Sequence, residues 1–395
     1  MNVNKINSWP HFDKVQIDAV KEILSSGKVN YWTGDQGKLF EKEFAEWNGS
    51  KYSVAVSNGS LALIVAYLSL GIKEGDEIIT TPRTFIATSS SAVLVKAKPI
   101  FADVDENSGA ITVETIEPLI TKKTKAIVVV HIGGWPADMA KICDLANSYN
   151  IPVLEDCSQA HGAEIKINGK FKSVGTFGEL STWSFCQDKI ISTGGEGGMV
   201  TTSEKQHWEF IRSFKDHGKD LDLMLRNDKP IGYNLIHTNF GSNLRLTEIQ
   251  SAIGRQQIKY LPSWRLKREK NAKFFAAKLN DLDILRIPFP NENIKHAWYK
   301  FYIYLKEELL AEGWSRQRIL SEMAFAGYPA LTGTCSEIYL EKCFKELDLN
   351  PKERLPVAKE LGETSLMLLV HPTIDEKQIQ EYASTLKKIL IRATR

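Results

Sequence analysis

Short apolar runs rich in β-branched residues recur through the first half of the chain, most of them followed by a helical pattern, and this alternation constrains the fold more than any other feature. YSVAVS (52–57) leads into a helical pattern from about Ser60, and EIITTP (77–82), PIFADVD (99–105) and AIVVVHI (126–132) follow. MAKICDLANSYN (139–150) then has a helical period ahead of IPVLED (151–156). Such a succession predicts a mostly parallel sheet wrapped by helices. Strands are also expected at LSTWSF (180–185) and GMVTTS (198–203), and two long amphipathic helices at TEIQSAIGRQQIKYL (247–261) and RLKREKNAKFFAAKL (265–279). Beyond them, strand-like AWYKFYIYLK (297–306) and SLMLLVH (365–371) interleave with helical LLAEGWSRQRILSEMAF (309–325) and DEKQIQEYASTLKKIL (375–390), which suits a smaller α+β unit. At 395 residues the chain exceeds one ordinary core, so a large domain over 1–255 and a small one over 256–395 are expected.

Composition narrows the partners. With 50 basic and 48 acidic residues there is no broad field to recruit nucleic acid or an anionic membrane, so an anionic ligand must be held by local contacts. The opening MNVNKINSWPHF is polar and aromatic and no apolar span reaches bilayer length, so a cytoplasmic location is expected. Cys143, Cys157, Cys186, Cys335 and Cys343 form no closely spaced pair, which argues against a zinc site or a disulfide framework. Cys186, three residues before Lys189, has no histidine beside it in sequence to make it a nucleophile.

Ligands of open α/β sheets gather beyond the carboxyl ends of the strands, and polar residues stand at three such places. Ser57-Asn58-Gly59-Ser60 turns from strand into helix and offers N–H groups and a hydroxyl to a phosphate, although taken alone a plain N-cap by Ser57 or Ser60 is the simpler reading. Asp156 ends a strand, where a carboxylate either meets a protonated ring nitrogen or caps a helix. Lys189 lies between an aromatic-rich strand and the glycines Gly194, Gly195, Gly197 and Gly198. Partial burial there would favour the neutral amine that attacks a carbonyl; taken singly, it also reads as a solvated lysine beside a flexible turn. Phosphate seat, ring-nitrogen acid and imine-forming lysine together meet the demands of pyridoxal 5'-phosphate.

On these residues the chain resembles the DegT/StrS family of sugar aminotransferases. The likeness runs from Gly34 and Phe40-Glu41 through SNGSLAL, GDEIITTPRTFIAT, PIFADVD, VHIGGWPAD, EDCSQAHGA and SFCQDK to GSNLRLTEIQSAIG. The resemblance implies the aspartate-aminotransferase-like fold (fold type I) for the large domain, pyridoxal 5'-phosphate as cofactor and Lys189 as its covalent anchor. It implies Asp156 as the ring-nitrogen partner, Gln159 beside the ring and Phe85 stacked on it. Gly59, Ser60, the N–H of Leu61 and the Ser184 hydroxyl would hold the phosphate, and Asn243 would reach the phosphate of the neighbouring subunit in a homodimer. Phe85 also suits core packing, Gln159 a backbone contact, and Asn243 a cap for the helix near Thr247. Two departures stand out: the phosphate turn reads Asn58-Gly59-Ser60-Leu61 instead of a Gly-Thr-Ala type, and Cys186-Gln187-Asp188 precedes the lysine instead of a proline or histidine. Asp188 would raise the Lys189 pKa if it faced the same way. Lysine at 189 argues against the branch of the family that carries histidine there and removes a hydroxyl.

The expected activity is amination of a nucleotide-linked 4-keto-6-deoxyhexose by L-glutamate, for O-antigen or other surface-polysaccharide synthesis. A 3-keto sugar is the alternative substrate. A lyase using the same cofactor, or a non-catalytic cofactor-binding regulator on the same fold, are the rival classes.

Overall fold

The computed structural model describes residues 4–220, 222–223 and 235–395. Its centre is a seven-stranded sheet in the order β1-β9-β8-β5-β4-β2-β3. The strands are β1 (Tyr52–Val56), β2 (Glu77–Thr80), β3 (Lys98–Phe101), β4 (Thr124–Val130), β5 (Val153–Asp156), β8 (Leu180–Ser184) and β9 (Gly198–Thr202). β3, β2, β4, β5 and β8 pair in parallel, while β9 runs antiparallel to both β8 and β1. The apolar runs are continuous because both faces are covered: Ala126 and Val128 point into one core with Leu154 and Val200, and Ile127 and Val129 into another with Ile142 and Val153.

Register fixes what lies at the carboxyl edge. Val130 pairs with Asp156, and Asp156 with Thr182, so the ends of β4, β5 and β8 come out together. Two antiparallel steps through β9 give β1 the same direction as β8, which delivers Ser57 and Asn58 to that edge as well.

A second sheet, in the order β10-β12-β14-β13, is antiparallel throughout and comprises β10 (Leu285–Arg286), β12 (Phe301–Leu305), β13 (Ala330–Leu331) and β14 (Ser365–Leu368). Its core includes Phe301, Ile303, Leu366 and Leu368, with Ile319 and Met323 from helix Arg316–Phe325 and Ile379 and Leu386 from helix Glu376–Ala393. A third sheet, β11-β6-β7, joins β6 (Glu164–Ile167) and β7 (Lys170–Ser173) to β11 (Ile294–Lys295), so the C-terminal part of the chain pairs with the first.

The two long helices expected over 247–261 and 265–279 are one helix, Glu248–Leu279, of 32 residues. Pro262 lies inside it and faces solvent. It removes a single N–H on the exposed face, while buried residues on both sides of it hold the helix in line. Gly254 comes so near Phe40 that an added Cβ would lie 2.5 Å from the ring, whereas Ala272 and Phe275 join the second core. The division expected at 255/256 therefore falls within a helix whose two halves serve different cores. Ile6, from the other end of the chain, also packs in that second core.

Candidate active site

A cavity of about 780 Å³ opens at the carboxyl edge of the large sheet, and Gly59, Ser60, Leu61, Phe85, Asp156, Gln159, Ser184 and Lys189 all line it. Asn243 does not. It is exposed, and its Oδ1 accepts a long 3.4 Å bond from Arg245 N–H. The helix start near it is capped by the Thr247 side chain.

The turn after β1 is capped by neither serine. Asn58 takes that place, its Oδ1 accepting from Leu61 N–H at 2.9 Å, because an extended Asn at this position reaches the third helical amide. The Leu61 amide expected to face a ligand thus already has an acceptor. Any side chain at 59 would put its Cβ 2.7 Å from Ser184 Cβ, so glycine lets the helix start Gly59–Ser69 close onto the end of β8. The first amides of a helix lack intrahelical acceptors, and here they open on the cavity beside the Ser60 and Ser184 hydroxyls.

Neighbours on β5 point to opposite faces. Asp156, 4% exposed, accepts from Thr88 Oγ1 at 2.8 Å and from Ser158 N–H at 3.1 Å; Thr88 Oγ1 in turn lies 2.9 Å from Thr84 Oγ1. Its orientation is fixed before anything binds. Glu155 turns away into a buried nest, where Oε1 accepts from the Phe177 and Gly178 amides and Oε2 from Gly175 N–H and His131 Nε2. Burial works against that carboxylate, but the His131 contact and the amides outweigh it and hold its pKa below the usual range. His131, Glu155 and Cys157 lie close enough to hold a metal ion, yet the Glu155 oxygens are already engaged by four donors.

Gln159 makes the backbone contact open to it, its Oε1 accepting from Gly133 N–H at 2.8 Å, and the residue also lines the cavity. Phe85 is 65% exposed at the cavity wall and is not a core residue. Lys189 sits in the loop between β8 and β9, with its N–H donating to Cys186 O and its carbonyl accepting from Trp9 Nε1 at 2.8 Å. Its ammonium lies 5.1 Å from the centroid of the Tyr299 ring. Asp188 instead accepts from the Tyr299 hydroxyl and lies 3.6 Å from Lys300 Nζ. Burial would raise its pKa, but Tyr299, Lys300 and Lys189 together hold it below the ordinary carboxylate value. Burial, with Glu196 nearby, raises the Cys186 thiol pKa, which opposes a nucleophilic role.

Sequence reasoning missed the wall built by the C-terminal part of the chain, above all Tyr299 and Lys300 just before β12. Burial, aided by Arg268 and Lys189 and opposed by Asp188, lowers the Lys300 pKa to about 8. A lysine inside the aromatic run AWYKFYIYL was the available signal, but periodicity alone read that run as a strand.

The sequence profile of the DegT/DnrJ/EryC1/StrS aminotransferase family matches residues 10–387. GDP-perosamine synthase of Escherichia coli O157:H7 is 34% identical, over 91% of this chain and 92% of its own length. The UDP-N-acetyl-3-dehydro-alpha-D-glucosamine 3-aminotransferase of Acidithiobacillus ferrooxidans is 33% identical, over 93% of this chain and 94% of its own. Among solved structures, an aminotransferase from Psychrobacter cryohalolentis superposes with a TM-score of 0.95 at 47% identity, covering 98% of this chain and 99% of that one.

Proposed function

The chain belongs to the DegT/DnrJ/EryC1/StrS aminotransferase family, and from that premise we propose that it moves an amino group from L-glutamate to carbon four of a nucleotide-linked 4-keto-6-deoxyhexose. It is a sugar aminotransferase with the fold type I architecture and pyridoxal 5'-phosphate as cofactor. The product would feed O-antigen or other surface-polysaccharide synthesis in the cytoplasm. Among the described residues no helix is long and apolar enough to cross a membrane.

One observation carries this reading: Lys189, the oriented carboxylate of Asp156 and the helix start at Gly59-Ser60 face a single cavity. These suit the three reactive parts of the cofactor, its aldehyde, its ring nitrogen and its phosphate. When bound, the cofactor supplies an electron sink for the carbon that gains or loses the amine. Asp156, held by Thr88 and Ser158, would keep a proton on the ring nitrogen. Lys189 would serve as the acid/base that moves a proton to and from the substrate carbon. Phe85 would cover a face of the ring and Gln159 would border it, since both line the cavity. Gly59, Ser60 and Ser184 would hold the phosphate, Leu61 joining them only if its amide is shared with Asn58 Oδ1, and Asn243 would complete the partner's site in a homodimer.

The test offers dTDP-, UDP- and GDP-linked 3-keto and 4-keto sugars with glutamate and identifies the amino sugar formed. Amination of a 4-keto sugar by the unaltered protein, lost in Lys189→Ala, is expected. Near wild-type turnover by Lys189→Ala would overturn the mechanism, and amination only at carbon three would move the reading to the 3-amino class, which the Acidithiobacillus relative's name favours. A regulator would leave the visible cofactor band unchanged when glutamate is added, and a lyase would form product without consuming an equal amount of donor.

A further inference from the structure

The cavity holds two lysines, and the reading above uses one. Lys300 is the other, with its side chain only 15% exposed. Its ammonium lies 4.6 Å from the centroid of the Tyr299 ring, and that of Lys189 lies 5.1 Å from the same centroid, so both nitrogens lie against one aromatic ring of the cavity wall. Among the described residues of the lining, these two are the only cationic side chains; no arginine or histidine is present. Asp188 balances the Lys300 charge from 3.6 Å, longer than an ordinary hydrogen bond, while its oxygen is engaged by the Tyr299 hydroxyl. Lys300 is thus charge-compensated but not locked.

The two substrates of the proposed reaction differ most in charge at the reacting carbon. An amino acid donor bears a carboxylate on that carbon, and a buried carboxylate needs a cation or strong donors. The anion of a nucleotide sugar, its diphosphate, is separated from the keto carbon by the width of the sugar ring and cannot meet a cation so near Lys189. The geometry points to Lys300 as the residue that receives the α-carboxylate of the amino donor, a specificity residue separate from the Lys189 chemistry. This assignment rests on the aminotransferase reading.

The groups facing Lys300 support the role. Asp188 and Lys189 approach from the β8–β9 loop, Arg268 from helix Glu248–Leu279 and His371 from beyond β14, with Tyr299 and Tyr302 from its own segment. Burial lowers His371 to about 3, so it is neutral near pH 7 and does not compete for an anion. With its own value lowered to about 8, Lys300 is mostly charged near neutrality and discharges in mild alkali.

The experiment measures binding of glutarate, a dicarboxylate that cannot react, to the cofactor-loaded protein by calorimetry. It also follows the visible cofactor band on addition of glutamate and, separately, of the amino-sugar product. Lys300→Met is expected to lose about tenfold or more in glutarate affinity, and to lose roughly ten times more on the glutamate side than on the amino-sugar side, while Lys300→Arg stays within about threefold of wild type. Unchanged glutarate affinity in Lys300→Met, or equal losses with both substrates, would overturn the assignment. If Lys300→Met fails to fold, pH decides: wild-type affinity for glutarate should fall as pH rises through about 8 and that of Lys300→Arg should not, and a shared profile would refute the role. A wild-type protein whose band responds to neither substrate would instead overturn the aminotransferase reading itself.

Discussion

At the scale of single residues, the account depends on side chains oriented before any ligand arrives. Asp156 is held by Thr88 and Ser158, so Asp156→Asn changes its charge with little change of shape. A charge-assisted hydrogen bond contributes about 1.5–3 kcal/mol, so kcat should fall roughly ten- to a hundred-fold with the fold intact. Steady-state kinetics beside circular dichroism checks this, and an unchanged kcat would remove Asp156 from the ring nitrogen. Asp156 and Lys189 were legible because polar residues closing or following apolar strands are exceptional in themselves. Lys300 was not, because Tyr299, which brings the C-terminal segment to Asp188, is 111 positions away from it, and no local pattern reports so distant a contact. The Asn58 cap was missed for a different reason: Ser57, Asn58 and Ser60 can all cap a helix, and only backbone geometry selects among them.

At the scale of elements, strands of the large sheet were the most legible, since burial on both faces writes a continuous apolar run. β6 and β7, EIKI and KFKS, were not: they are short and largely polar, and pair on one side with β11, far along the chain. The helix over Glu248–Leu279 shows a local rule overridden by packing. Pro262 reads as a break, yet buried residues before and after it, Leu261 and Arg268 among them, hold the helix continuous. Because the ring removes an N–H and crowds the preceding turn, Pro262→Ala should stabilise the protein, by up to about 3 kcal/mol. The denaturant midpoint measures this, and a loss of stability would mean that the proline sets a bend the two cores require.

At the scale of the whole molecule, the N-terminal segment ties the second core to the loop that carries Lys189: Ile6 packs in the C-terminal core, while Trp9 donates to the Lys189 carbonyl and stacks near His371. Burial lowers His161, His296 and His371 to about 3 from 6.5, so each stays neutral in the folded chain and gains a proton on unfolding below the higher value. Stability from these groups is complete above about 6.5 and is lost as pH falls toward 3, by about 1.4 kcal/mol per pH unit for each group. Unfolding midpoints should therefore drop between about pH 7 and pH 5. His161→Phe should flatten the drop, since both its ring nitrogens lack partners among the described residues and it packs against Trp183 and Phe185. An unaltered slope in that variant would count against a neutral buried His161. The central claim, that the nitrogen of Lys189 is the one bonded to the cofactor, is tested most directly by borohydride reduction of the loaded protein and mapping of the tagged peptide by mass spectrometry. The account predicts a pyridoxyl phosphate tag on Lys189 and none on Lys300; a tag on Lys300 or any other lysine, or no tag at all, would contradict it.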